Sequence, residues 1–307
     1  MEINQLHPLF AAEIVGLDAA SPPDAKVVRV VEDAMARYGV VALRDCDITD
    51  EQHVRFSRAF GPLELPARWS APRKGAAEPP PKRRPIAPEL FDASNLDENN
   101  EIIPYDSEKR KLAKGAEKFH TDSSFNPLPT KWSLLRGAIV PPAEIGGSTH
   151  FVDCRAAYDD LPQAMKDRLE GMVAIHDFVR GRERAGTANV DQTLRDIWPP
   201  VRHRLVRTMP YGRKCLFLGG HAVEIEGMEE EEGWALLQEL YEHATREKYI
   251  YRHQWKPGDI VIWDNRCTMH RATAFESNDY KRDMRRTTIN ESGEEMSSLE
   301  ARQLANA

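Results

Sequence analysis

The stretch KFHTDSSF, Lys118–Phe125, sets an imidazole and a carboxylate, His120 and Asp122, two residues apart. On an extended segment side chains alternate in direction, so residues i and i+2 face the same side. One imidazole nitrogen and one carboxylate oxygen on one face are two ligands of a metal site. The same spacing also occurs in ordinary polar turns, so a metal reading needs a third ligand. His270, in VIWDNRCTMHRATAF, is the best-placed candidate: it follows a strongly apolar strand pattern, where the chain turns. His53 falls in a helical pattern, His243 near a helix end and His253 in a regular strand pattern; His150, His176, His203 and His221 stay open as candidates. Two histidines and one carboxylate on one face make a facial triad that leaves three octahedral positions open, the arrangement suited to non-haem Fe(II) oxygen chemistry. A further histidine in place of water or cosubstrate would point instead to zinc.

These residues need elements to position them. Val27, Val30, Val31, Ala34, Met35 and Tyr38 recur at helical spacing, opened by Ser21-Pro22 and closed by Gly39. Val40–Leu43 reads as a buried strand. Thr49 and Gln52 form a capping box for a helix running to Phe60. Further helices are expected over Pro162–Glu170 and Glu229–Thr245, the latter with Trp234, Leu237, Tyr241 and Ala244 on one face and acids in its first turn. Strand patterns cover Leu216–Leu218, Tyr249–Trp255, Ile260–Trp263 and Thr287–Ile289. Many short strands with few helices predict a mainly β fold with flanking helices, a β-sandwich or jelly roll.

Hydrophobic residues make up 41% and charged residues 30% of the 307, a folded rather than disordered composition, and the length suits a single domain. The net charge of -7 argues against a nucleic-acid partner. No apolar run is long enough for a membrane span, the N-terminus lacks a signal-peptide pattern, and Cys46, Cys154, Cys215 and Cys267 are widely spaced; a cytoplasmic protein with reduced thiols is expected. A homo-oligomer is compatible with this composition. Pro66–Pro88 carries seven prolines and the run Lys82–Arg84, followed by a polar stretch, so residues 65–118 are expected to be one irregular insertion that could form a lid beside His120. A polar tail follows residue 291.

Taken in order, the segments LHPLFAA (Leu6–Ala12), SRAFGPLE (Ser57–Glu64), HTDSSF (His120–Phe125), GGSTHF (Gly146–Phe151), RAAYDDLP (Arg155–Pro162), YRHQW (Tyr251–Trp255), WDNRCTMHRA (Trp263–Ala272) and RDMRRTT (Arg282–Thr288) resemble the Fe(II)/2-oxoglutarate-dependent taurine and 2,4-dichlorophenoxyacetate dioxygenase family, closest to its 2,4-dichlorophenoxyacetate branch. The resemblance implies a double-stranded β-helix (cupin-like) core and His120, Asp122 and His270 as iron ligands. It further implies 2-oxoglutarate as cosubstrate, with its far carboxylate on Thr149 and Arg282, and O2 as oxidant. A guanidinium suits that carboxylate because it donates bidentately. Arg286 is implied as the anchor of an anionic substrate. One extra residue between His270 and this pair leaves Arg285 as the alternative, although on a strand Arg286, four residues after Arg282, shares its face.

The implied reaction hydroxylates a C–H bond of a small carboxylate-bearing substrate and releases succinate and CO2. On an aryloxyalkanoate, hydroxylation beside the ether oxygen cleaves the ether. The residues GAEKF before the His-Thr-Asp motif differ from those of taurine-specific relatives, which argues against taurine. Lys111, Lys114 and Lys118 could assist from the insertion or be solvated, and Trp69, Phe91 and Phe125 could line an apolar cavity or belong to the core. Two other readings stay open: a hydroxylase of a natural carboxylate, amino acid derivative or secondary metabolite, and a catalytically inactive ligand-binding module on the same scaffold.

Overall fold

The computed structural model describes residues 1–65, 88–107, 109–110, 114–186 and 194–291. Most of the proline-rich stretch, with Trp69 and Lys82–Arg84, lies outside them, as do Lys111 and the tail after 291.

Fifteen strands are present among the described residues: β1 (Glu2–Gln5), β2 (Ala12–Val15), β3 (Val40–Leu43), β4 (Phe91–Asp92), β5 (Thr130–Ile139), β6 (Thr149–Asp153), β7 (Val173–His176), β8 (Val201–Arg204), β9 (Val206–Thr208), β10 (Lys214–Leu216), β11 (Ala222–Ile225), β12 (Ile250–His253), β13 (Ile260–Asp264), β14 (Thr268–Ala272) and β15 (Asp283–Asn290). A seven-stranded sheet runs β1-β2-β3-β13-β5-β15-β4, and a three-stranded sheet runs β12-β6-β14. Two smaller sheets, β11-β7-β8 and β10-β9, extend the second layer.

The period of two in the strands explains why the layers stack. Val40, Ala42, Val261 and Trp263 point one way from the large sheet and pack on Phe151 and Tyr251 of the three-stranded sheet. Their neighbours Val41, Leu43, Ile260 and Ile262 point the other way, onto Val31, Ala34 and Met35 of the helix Ala25–Tyr38 and Phe56 of the helix Asp50–Arg58. Each large apolar side chain fully buried this way contributes about 1.5–3 kcal/mol. The outer side of the small sheet is covered by the helix Glu230–Ala244. This is the two-layered jelly roll that the strand patterns predict.

Most expected elements recur with shifted ends. Asp24, not Ser21, caps the first helix, because its carboxylate accepts from the Val27 amide; Gly39 closes that helix at φ 71. The Thr49/Gln52 capping box is formed. The buried face of Glu230–Ala244 centres on Leu236, Leu237, Leu240 and Ala244, with Trp234 and Tyr241 only partly buried at its margin. The strand expected at Leu216–Leu218 ends at Leu216, and the one at Thr287–Ile289 is part of the longer β15. Within residues 65–118 the described part is not wholly irregular: Phe91–Asp92 pairs with β15 opposite Arg286 and Arg285, closing one edge of the large sheet beside the candidate site.

Candidate active site

His120 and His270 sit side by side across an antiparallel bridge, each amide donating to the other's carbonyl at 2.9 and 2.8 Å. The bridge adds the His120 segment to the edge of β14. Asp122 follows two residues on, and the ligand atoms of His120, Asp122 and His270 lie within 4.8 Å of one another. Nε2 of His120 is 4.0 Å from Asp122 Oδ1 and Nε2 of His270 is 3.8 Å from Oδ2. Nδ1 of His120 faces the Lys118 carbonyl at 2.9 Å; since a carbonyl only accepts, Nδ1 carries the proton and Nε2 keeps the lone pair that faces Asp122.

Two side chains that sequence reasoning overlooked hold Asp122 in place. Ser133 Oγ donates to Asp122 Oδ2 at 2.7 Å, and Asn265 Nδ2 donates to that serine oxygen at 2.9 Å. Asn265 Oδ1 accepts from the Asp122 backbone amide at 3.2 Å and from Trp263 Nε1 at 3.0 Å. Asn265 stands in the quoted WDNRCTMHRA segment, but nothing in its neighbourhood shows that its partner is 143 residues away in sequence. Arg286 Nη1 pairs with Asp122 Oδ1.

The electrostatics favour a cation. Burial alone would raise the Asp122 carboxyl, but Arg286, His270 and His120 together with the Ser133 hydroxyl hold it well below the ordinary carboxylate range. Burial pushes His120 below its ordinary range and His270 well below, each with Asp122 opposing the shift. The set is therefore an anionic oxygen and two neutral imidazoles on one face. That donor set fits a divalent transition metal with open positions.

The second expected group lies in the same interlayer space. Gly146 and Gly147 adopt positive φ of 96 and 78, and a Cβ on Gly146 would come 2.6 Å from the Ala274 carbonyl oxygen, so this turn has no room for a side chain there. It leads into Thr149, which is buried and shares a strand face with Phe151 of the interlayer core. Trp255 Nε1 donates to Thr149 Oγ1 at 2.9 Å, leaving the threonine hydroxyl proton free to donate elsewhere. Arg282 has no carboxylate partner among the described residues. Its Nε is buried without a hydrogen bond, its Nη2 reaches only the Gly147 carbonyl at 3.5 Å, and burial pushes the guanidinium down to about 10.

Arg285 and Arg286 face opposite sides. Arg285 is engaged by Asp50 and by Asp283 at 2.5 and 2.8 Å, away from the metal-ligand cluster. Arg286 lies over the Phe91 ring at 4.9 Å and reaches Asp122. Phe125 packs edge-on against Phe178 and His221. Lys118 Nζ lies 3.4 Å from the Ala185 carbonyl. Of the other histidines, His176 stacks on Phe217 and His203 stands edge-on to both in the buried interior, and His150 of β6 pairs with Arg271 of β14.

The comparisons with known proteins agree with this geometry. Residues 2–288 match the model of the family described as taurine catabolism dioxygenase TauD, TfdA family, and the chain belongs to that family. It is a 2-oxoglutarate-dependent dioxygenase that uses Fe(II), 2-oxoglutarate and O2. It is 38% identical over 286 residues to the alpha-ketoglutarate-dependent 2,4-dichlorophenoxyacetate dioxygenase of Cupriavidus pinatubonensis, covering 93% of this chain and 96% of that one. It is 33% identical over 285 residues to the (S)-phenoxypropionate/alpha-ketoglutarate-dioxygenase of Sphingobium herbicidovorans, covering 90% of each. The crystal structure of AAD-2 in complex with Mn(II) and N-oxalylglycine superposes with a TM-score of 0.84 at 37% identity, covering 96% of this chain and all of that one. Among the described residues no helix is long and apolar enough to cross a membrane.

Proposed function

We propose that this enzyme hydroxylates an aryloxyalkanoic acid at the carbon bearing the ether oxygen, giving a hemiacetal that separates into a phenol and an oxo acid. In this reading His120, Asp122 and His270 hold Fe(II), Thr149 and Arg282 receive the far carboxylate of 2-oxoglutarate, and Arg286 takes the substrate carboxylate. When bound, iron and 2-oxoglutarate would supply the O2 chemistry that hydroxylates the substrate C–H, with succinate and CO2 as the coproducts.

The chain's own part is positioning. Ser133 and Asn265 fix the rotamer of Asp122, so that Oδ2 lies towards His270 and Oδ1 towards His120, where Arg286 also pairs with it. Arg282, with no carboxylate partner among the described residues and its Nε buried, supplies a positive charge, and Thr149 a spare hydroxyl proton, for one dicarboxylate end. The observation that carries the reading is the convergence of three metal-ligand atoms within 4.8 Å, together with the Arg282 guanidinium, whose Nε is buried and unpartnered and which has no carboxylate partner among the described residues. The named activities of the relatives support the aryloxyalkanoate class.

The test is succinate release with Fe(II), 2-oxoglutarate and a panel of phenoxyacetates, phenoxypropionates and natural carboxylates, with phenol formation followed in parallel. Phenol and succinate in equal amounts from a phenoxyalkanoate are expected. Turnover confined to natural carboxylates would refute the substrate class while leaving the reaction class standing.

A further inference from the structure

A second cation near the site, like Arg282, has no carboxylate partner among the described residues. Arg182, on the helix Phe178–Arg184, donates no hydrogen bond and has no carboxylate within ion-pair distance among the described residues, and its Nε is buried and unpartnered. Its helix neighbours show the contrast: Arg180 pairs with Glu224 and Glu230, and Arg184 pairs with Glu230. Arg182 instead lies over the face of Phe178, 5.0 Å from the ring centroid.

The packing ties this arginine to the iron-binding motif. The next residue towards the N-terminus, Gly181, is pressed against the loop at Gly220–His221: a Cβ there would come 2.6 Å from the Gly220 carbonyl oxygen and 3.0 Å from His221 Nδ1. The same loop presses on the motif, since a Cβ on Gly219 would come 3.0 Å from the Thr121 amide and 3.4 Å from His120 Cα. Beside Gly220 a Cβ would meet nothing within 4 Å, so open space adjoins these close contacts. Arg182 bears electrostatically on both His120 and His221, whereas Arg286 bears on Asp122, His270 and His120. Both cations thus stand near the motif: Arg286 pairs with Asp122, and Arg182 follows Gly181, whose loop neighbour presses on His120 and Thr121. Phe178, Phe125 and His221 form the aromatic surface next to Arg182.

We propose that Arg182 is a second anion-binding residue of the substrate pocket and receives a negatively charged group on the aryl end of the substrate, opposite the carboxylate on Arg286. A partly buried guanidinium without a counter-charge is costly, and a ligand anion relieves that cost with charge-assisted hydrogen bonds. The adjoining rings suit an aryl body, which would present its distal substituent to the guanidinium. The preferred substrate class is then an aryloxyalkanoate carrying a ring carboxylate, a dianion, rather than the simple monoanion. This inference rests on the aryloxyalkanoate reading above and deepens it.

The experiment compares phenoxyacetate with 3- and 4-carboxyphenoxyacetate on wild type, Arg182→Gln and Arg182→Lys. Affinity is measured calorimetrically under anaerobic conditions with Fe(II) and 2-oxoglutarate, and KM and kcat by succinate release. Wild type is expected to bind one ring-carboxylated compound about tenfold or more tighter than phenoxyacetate, the scale of one charge-assisted hydrogen bond. Arg182→Gln should erase that preference while leaving phenoxyacetate affinity within about twofold, and Arg182→Lys should restore part of it. No preference in wild type, a preference that survives Arg182→Gln, or an equal weakening of all three ligands would overturn the inference. No binding or turnover of any of the three by wild type would overturn the aryloxyalkanoate reading as well.

Discussion

Arg282→Met separates binding from stability. Methionine keeps the apolar stem and removes the charge and the donors. The guanidinium forms no ion pair among the described residues and only a 3.5 Å contact to the Gly147 carbonyl, while burial pushes it down to about 10. Its removal therefore takes little from the ligand-free fold. With 2-oxoglutarate bound, the same substitution deletes up to two charge-assisted hydrogen bonds, each contributing about 1.5–3 kcal/mol. Allowing for water that replaces them, the loss is about 3 kcal/mol, or on the order of a hundredfold in affinity. The assay pairs the KM for 2-oxoglutarate, read by succinate release at saturating substrate, with the thermal midpoint of the metal-free protein. A KM raised about a hundredfold with an unchanged or slightly higher midpoint is expected. A KM within threefold of wild type, or a midpoint several degrees lower without a change in KM, would refute the assignment of Arg282 to the cosubstrate.

Further outcomes follow from the same structure. His120→Ala should abolish the weak visible charge-transfer band that forms when Fe(II) and 2-oxoglutarate are mixed anaerobically; a surviving band would remove His120 from the ligand set. Arg286→Ala should retain that band and lose substrate-triggered succinate release, and retained turnover would exclude Arg286 as the anchor. Ser133→Ala frees the carboxylate that it holds at 2.7 Å and should weaken Fe(II) affinity roughly tenfold to a hundredfold, read by titrating the same band; unchanged affinity would show that Asp122 needs no such support. Asp153→Asn leaves Arg155 buried without its ionised partner, both side chains being 0% exposed, and should destabilise by about 3–5 kcal/mol in denaturant unfolding; a loss under about 1 kcal/mol would contradict the pairing.

What was legible in the sequence was local or motif-borne. The Thr49/Gln52 box and the apolar stripe from Val31 to Tyr38 specify their elements through neighbours a few residues away. The strand β5 gives no such signal: it is buried along most of its length on both sides, so Lys131, Ser133 and Arg136 stand in it without the alternation that marks a half-exposed strand. The sequence places the start of the first helix at Ser21-Pro22, because several capping residues compete there and only the formed hydrogen bond shows that Asp24 is used.

At the site, residue types and spacing by themselves determined that His120 and Asp122 can share a face, and the resemblance implied His270 as their partner. The tertiary structure decided which of two adjacent arginines faces them. Asp50 and Asp283 hold Arg285 on the outer side, and strand alternation turns Arg286 inward to Asp122. It also decided that Arg182 and Arg282 alike stand without a carboxylate among the described residues, a property with no trace in the sequence. Whether a charge is matched depends on which chain segments fold against it, and the acids among the described residues lie elsewhere in space.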